Sequence, residues 1–76
     1  MHVDFQDIAA IVRKVLNDKL PEPQPTTPVA SLDMDSLDVL EVVMGIEEKF
    51  GKDIDPTALS ECATLEDVRH LVETHA

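Results

Sequence analysis

Apolar residues recur every three or four positions over three stretches of the chain, and each stretch predicts an amphipathic helix. From Val3 to about Asp18 the repeating positions are Phe5, Ile8, Ile11, Val12, Val15 and Leu16, one stripe on one helix face. Asp4 is placed to cap this helix, with Asp7 three positions on. Pro21 ends it, removing a backbone donor and turning Leu20 away from helical angles. A second helix is expected from Asp35-Ser36 to about Phe50, with Asp35 as N-cap and Asp38 as the second member of a capping box. Leu40, Val43, Ile46 and Phe50 form its predicted buried stripe, with Leu37, Val39 and Val42 beside it, and Gly51 is a natural stop. Ile54 should then enter the core, and Pro56 can open a short helical turn through Ala58 and Leu59. Thr64-Leu65-Glu66-Asp67 resembles a capping box for a last helix with Leu65, Val68, Leu71 and Val72 on its apolar face. No stretch shows the alternation of a strand, so the fold class is all-α, with three substantial helices and one short one.

Pro21, Pro23, Pro25 and Pro28 fall between the first two helices. They predict an extended, polyproline-like loop stiff enough to span two helix ends, tacked to the core by Val29 and Leu32. Too few residues precede this loop to make a separate domain, so residues 1–76 read as one. Gly45 is the exception inside the second helix, where it costs about 1 kcal/mol relative to alanine; close packing of a neighbouring helix or a ligand chain would account for it.

Composition narrows the function classes. With 76 residues the chain can bury only a compact core, which argues against a self-sufficient enzyme with a deep cavity. It is 43% hydrophobic and 29% charged, the balance of a globular protein. Its apolar runs are too short to cross a membrane, and Met1-His2-Val3-Asp4-Phe5 has no basic, apolar leader. The single cysteine, Cys62, cannot form an internal disulfide. Together these features lead us to expect a cytoplasmic protein. The net charge of −10 disfavours nucleic acid and anionic lipid and steers the chain toward basic partners. Up to Pro21 the acids Asp4, Asp7 and Asp18 are matched by Arg13, Lys14 and Lys19, so the whole excess lies beyond.

Candidate chemistry centres on Asp35-Ser36-Leu37-Asp38-Val39-Leu40-Glu41. A serine in the first turn of a helix holds its hydroxyl near unpaired backbone N–H groups and the positive end of the macrodipole, so a phosphate esterified there is favourably placed. As a catalytic nucleophile Ser36 would need a general base and an oxyanion hole. The histidines His2, His70 and His75 lie near the chain ends, and no glycines surround the serine. Calcium-loop spacing fails as well: a loop begun at Asp33 puts Asp38 at the glycine position and Met44 at the glutamate, and one begun at Asp53 puts Ala58 and Thr64 there. Cys62 reads as a partly buried, inert thiol, and the histidines offer no metal cluster.

The run Asp35-Ser36-Leu37-Asp38, followed by Val39-Leu40-Glu41-Val42-Val43-Met44 and Ile46-Glu47-Glu48-Lys49-Phe50-Gly51, resembles the acyl carrier protein family. The likeness continues through Ile54 and Ala63-Thr64-Leu65-Glu66-Asp67-Val68. Two departures are Asp33, where many members have glycine, and the proline-rich loop. The resemblance implies a small four-helix bundle of acyl-carrier-protein type, a monomer without catalysis of its own. It also implies that Ser36 carries 4'-phosphopantetheine, transferred from coenzyme A by a phosphopantetheinyl transferase. Acyl groups would ride on the arm as thioesters, in fatty acid, polyketide or related acyl-chain biosynthesis, and the apolar stripes would part to shelter them. Asp35, Asp38, Glu41, Glu47 and Glu48 would face basic patches on the transferase and on acyl-chain synthases and transferases, with Leu37 and Met44 as apolar contacts among them. Exposed charge pairs speed encounter while leaving release fast. Two other readings stay open: a peptidyl or aminoacyl carrier, and an unmodified acidic helical adaptor for a basic protein.

Overall fold

The computed structural model describes residues 2–16 and 22–74. Among the described residues four helices occur in the order α1 (Phe5–Leu16), α2 (Ser36–Phe50), α3 (Pro56–Ser60) and α4 (Leu65–Thr74), and a 3-10 turn, Val29–Leu32, precedes α2. α1 packs on both α2 and α4, and α2 also packs on α3. The result is a helical bundle, with no strand among the described residues.

One core joins all of these pieces. Ile8 and Val12 of α1, Val42, Val43 and Ile46 of α2, Leu59 of α3, and Leu65, Val68 and Val72 of α4 are buried together. Val3, Val29, Leu32 and Ile54 enter from the connecting segments. Val3 lies ahead of α1 rather than inside it, yet it is as buried as the helical residues. The predicted run-on of α1 to Asp18 and its stop at Leu20-Pro21 lie outside the described residues. At its start, the Asp4 carboxylate accepts the Gln6 N–H at 3.0 Å, as a capping side chain should.

Two sequence expectations are corrected. Leu40 belongs to the outward face of α2, not to its buried stripe, and is 46% exposed. It stands three residues after Leu37 and four before Met44, so the three share one side of the helix, opposite Val42 and Ile46. The proline-rich segment is also more than an extended spacer. It turns at Pro25-Thr26, closed by the Thr27 N–H donating to the Gln24 carbonyl at 3.0 Å. Beyond the turn it runs antiparallel to the start of α4: Val29 N–H donates to the Ala63 carbonyl at 2.9 Å and Leu65 N–H to the Thr27 carbonyl at 3.0 Å. Val29 and Leu32 do anchor it to the core, as expected.

Gly45 has a packing reason. A Cβ built on it would sit 2.9 Å from Cγ2 of Ile11, so even an alanine there would require the Ile11 side chain to shift. Gly51 ends α2 in the left-handed region, φ 68°, with its N–H on the Glu47 carbonyl.

Candidate functional site

The start of α2 is built by its first four residues. Asp35 is the N-cap: its carboxylate accepts the Asp38 N–H at 2.8 Å, and the Asp38 carboxylate accepts the Asp35 N–H at 3.4 Å. This is the capping box the sequence predicted. The Val39 N–H goes to the Asp35 carbonyl at 3.0 Å. The N–H groups of Ser36 and Leu37 precede that first intrahelical bond, and both residues are exposed, so these two donors are left to solvent. Upstream, Asp33 holds a left-handed conformation at φ 53°, the tight corner that delivers the chain from the 3-10 turn into the cap.

Ser36 is therefore an exposed hydroxyl at the positive end of a helix of 15 residues. Among the described residues its hydroxyl has no hydrogen-bond partner. The site offers an accessible hydroxyl, two unused backbone donors and a favourable dipole. That combination suits a phosphodiester oxygen.

The outward face of α2 carries the other predicted site residues, though not all in one role. Leu37, Leu40 and Met44 make an exposed apolar row. Glu41 and Glu48 flank it and are exposed. Asp35 and Asp38 stand beside Ser36, their carboxylates already engaged in the cap. Glu47 is turned toward its own chain: half-buried, it accepts the Ile54 N–H at 3.2 Å and so holds the α2–α3 connection. Leu40 is the surface residue that sequence reasoning missed. The signal was available in its spacing from Leu37 and Met44, but its apolar character put it with the core.

The opposite end of the bundle is a polar clasp. Arg69 of α4 donates to Glu66 at 2.7 Å, to Glu73 at 2.9 Å and to the Val3 carbonyl at 3.1 Å. Glu73 also accepts the Val3 N–H at 2.9 Å. That N–H bond, and after it Arg69, hold the Glu73 carboxyl below its ordinary value against the opposing effect of partial burial. The Arg69 hydrogen bond does the same for Glu66. Cys62 is partly buried, as expected, and burial followed by the nearby Asp67 and Glu61 raises its thiol pKa, which keeps it protonated.

Comparison with known proteins adds independent findings. A family profile described as a phosphopantetheine attachment site matches residues 6–72. The chain is 38% identical over 71 residues to chloroplastic acyl carrier protein 1 of Casuarina glauca, covering 90% of this chain and 51% of that protein. It is 36% identical over 70 residues to the acyl carrier protein of Helicobacter pylori strain G27, covering 91% of this chain and 90% of the relative. With the acyl carrier protein of Wolinella succinogenes the identity is 39% over 72 residues, covering 93% and 95%. The chain thus spans about half the length of the plant relative and nearly all of the bacterial ones. No solved structure matches it at a significant level.

Proposed function

Because this chain belongs to the acyl carrier protein family, with its phosphopantetheine attachment site, we propose that Ser36 is the residue that carries the 4'-phosphopantetheine. The observation that carries this reading is the first turn of α2, where an exposed serine hydroxyl lies beside two unused N–H donors behind an intact capping box. Residues 1–76 act as one carrier domain. The protein is a carrier, not an enzyme.

A phosphopantetheinyl transferase supplies the chemistry. The Ser36 Oγ attacks the pyrophosphate of coenzyme A, its proton passes to a base of the transferase, and the adenosine-phosphate half leaves. The Ser36 and Leu37 N–H groups and the α2 dipole then stabilise the resulting phosphodiester anion. The arm contributes a terminal thiol on which acyl groups are held as thioesters. Glu41 and Glu48, with the Leu37–Leu40–Met44 row, offer acyl-chain synthases and transferases an acidic surface with an apolar strip. Such a surface favours fast, short-lived encounters with basic patches. Fatty acid or polyketide synthesis fits this chemistry, and the likeness to bacterial acyl carrier proteins supports a cytoplasmic setting.

Intact mass spectrometry after incubation with coenzyme A, magnesium and a broad-specificity transferase tests the assignment. The expected result is the gain of one phosphopantetheine, abolished by Ser36→Ala. No gain with several transferases would instead favour the acidic adaptor, and a gain retained in Ser36→Ala would move the attachment site elsewhere.

A further inference from the structure

Val3 is fastened to the bundle differently from every helical residue of the core. It stands in the irregular segment ahead of α1, between two exposed neighbours, His2 and Asp4, yet it is buried in the same cluster as Ile8, Val68 and Val72. Both of its main-chain bonds go to charged side chains of α4. Its N–H donates to the Glu73 carboxylate at 2.9 Å, and its carbonyl accepts from Arg69 at 3.1 Å. Arg69 and Glu73 stand one turn apart on α4 and pair with each other at 2.9 Å. A cleft of about 400 Å³, lined by His2, Asp4, Glu66 and Arg69 among others, opens beside these contacts, so the segment does not lie flush on α4.

One buried side chain and two charge-assisted bonds thus hold the segment. The helices are tied by main-chain bonds that no side-chain titration removes. Losing the charge at Glu73 weakens the segment's attachment alone, and the freedom its residues regain favours release. We propose that residues 2–4 are a latched strap: Val3 plugs the α1–α4 end of the core, and neutralising Glu73 releases the strap as a unit while α1 to α4 stay in place. The open form uncovers an apolar edge at Val68 and Val72, a local opening distinct from unfolding of the bundle. The device lies away from Ser36 and goes beyond the carrier reading, on which it does not depend.

The groups that face Glu73 set the direction of the response. Arg69 of α4 favours its ionised form, and so does His2 of the strap, whose Nδ1 is 3.5 Å away and attracts only when protonated. Lys52, on the α2–α3 connection, brings its charge to the neighbouring Val72 carbonyl at 3.1 Å. Glu66 opposes by sharing Arg69, with His70 beside it in charge, and Asp4 lines the same cleft. On α1, Asp7 is engaged by Lys49. In the closed strap the Val3 N–H, and after it Arg69, hold the Glu73 carboxyl below its ordinary value. Opening removes the first of these, so the closed form takes up a proton less readily than the open one. Closure is complete above the ordinary glutamate range and is lost as pH falls through the lower closed-state value.

Amide hydrogen exchange and an NMR pH titration of the full chain test the latch. At neutral pH, Glu73→Gln should lower the protection of the Val3 amide about tenfold, because it keeps an acceptor but loses the charge that strengthens the Val3 bond and holds Arg69. Glu66→Gln takes a partner from Arg69 but none from Val3, and should leave that protection within about twofold. On acidification of the unaltered protein, the Val3, Val68 and Val72 resonances should move in a step that precedes any change at Val42 and Ile46 of α2. Glu73→Gln should lack this step. Strap and α2 resonances moving together would overturn the proposal, as would a step that survives in Glu73→Gln or release of Val3 with no shift at Val68 and Val72. Unfolding of the whole bundle by Glu73→Gln at neutral pH would overturn it too, since a latch opens without its frame. The titration needs no arm, so a failure of loading at Ser36 leaves its outcome unaffected.

Discussion

At the start of α2, Asp35 and Asp38 exchange hydrogen bonds across the first turn; at the start of α4, Thr64 and Asp67 do the same, through 3.3 Å and 3.2 Å contacts. The two ends differ in what surrounds the box. In α4 the remaining early donors are also taken, Leu65 by the Thr27 carbonyl at 3.0 Å and Glu66 by the Pro25 carbonyl at 2.9 Å. The proline-rich segment has thereby closed that helix end completely. In α2 the corresponding donors, Ser36 and Leu37, face solvent. Similar capping boxes thus yield a sealed structural joint at one end and two open N–H donors beside Ser36 at the other. The deciding factor is the second segment packed against the first turn, not the cap.

The largest test uses the leucine in each first turn. Leu65 is 1% exposed and Leu37 is 62% exposed. Leu65→Ala should cost about 3 kcal/mol, because it leaves a cavity beneath the loop that seals α4. Leu37→Ala should stay within about 0.5 kcal/mol, since it removes a side chain that touches little. Urea unfolding of both variants measures the contrast. Comparable losses would mean that the two ends are not closed and open as described.

This contrast also shows what the sequence could and could not reveal. Both capping boxes were legible, because they depend on residue types at fixed short spacing. The bounds of α2, the Gly51 stop, the short helix opened by Pro56 and the apolar face of α4, with Leu65, Val68 and Val72 buried and Leu71 half-buried, were legible for the same reason. Three things were not. The carbonyls of Pro25 and Thr27 donate no pattern to a sequence, since every residue has a carbonyl and only the fold decides where it points. Leu40 looks like core until the rotation of α2 is fixed by Val42, Val43 and Ile46. Glu47 likewise reads as one more surface acid, and only the return of the chain at Ile54 turns it inward. Ser36 was singled out through the motif around it, and the fold adds that its first turn is exposed.

Removing the caps is the next test. Asp35→Ala should destabilise by about 1 kcal/mol, because without that carboxylate the start of α2 has no other acceptor for Asp38. Thr64→Ala should cost about 0.5 kcal/mol, at the low end for a cap, since loop carbonyls still hold two donors of α4. Loading of Ser36 should slow in the first variant and not in the second. A larger loss for Thr64→Ala would reverse the ranking of the two ends.

The clasp around Arg69 also predicts a pH response. Glu66 and Glu73 both have carboxyls held below their ordinary value in the folded protein. Folding therefore favours their ionised forms. The stability this lends is complete above the ordinary glutamate range and is lost as pH falls through the lower folded values. Glu73→Gln keeps an oxygen for the Val3 N–H but removes one titrating group. Its melting temperature should fall less steeply on acidification than that of the unaltered chain. Parallel curves would show that the clasp around Arg69 contributes nothing through ionisation.

The smallest expected effect concerns the corner that leads into the open end. Asp33 sits at φ 53°, ψ 42°, with its N–H on the Ala30 carbonyl at 3.4 Å. Left-handed angles crowd a Cβ, and aspartate is among the residues that tolerate them best. Asp33→Gly relieves the remaining strain but loosens the unfolded chain, and these opposing terms are each about 0.5–1 kcal/mol. Their sum should leave stability within about 0.5 kcal/mol of the unaltered protein. Asp33→Ala keeps the Cβ and loses the polar side chain, so it should be the less stable of the two variants. On the proposed attachment at Ser36, neither should change its rate of loading, because the Ser36 and Leu37 donors are ordered by the Asp35 cap and not by the corner before it. If Asp33→Gly slows loading while stability holds, the open end depends on the rigidity of its approach as well as on its cap, and the contrast with α4 then extends one turn further upstream.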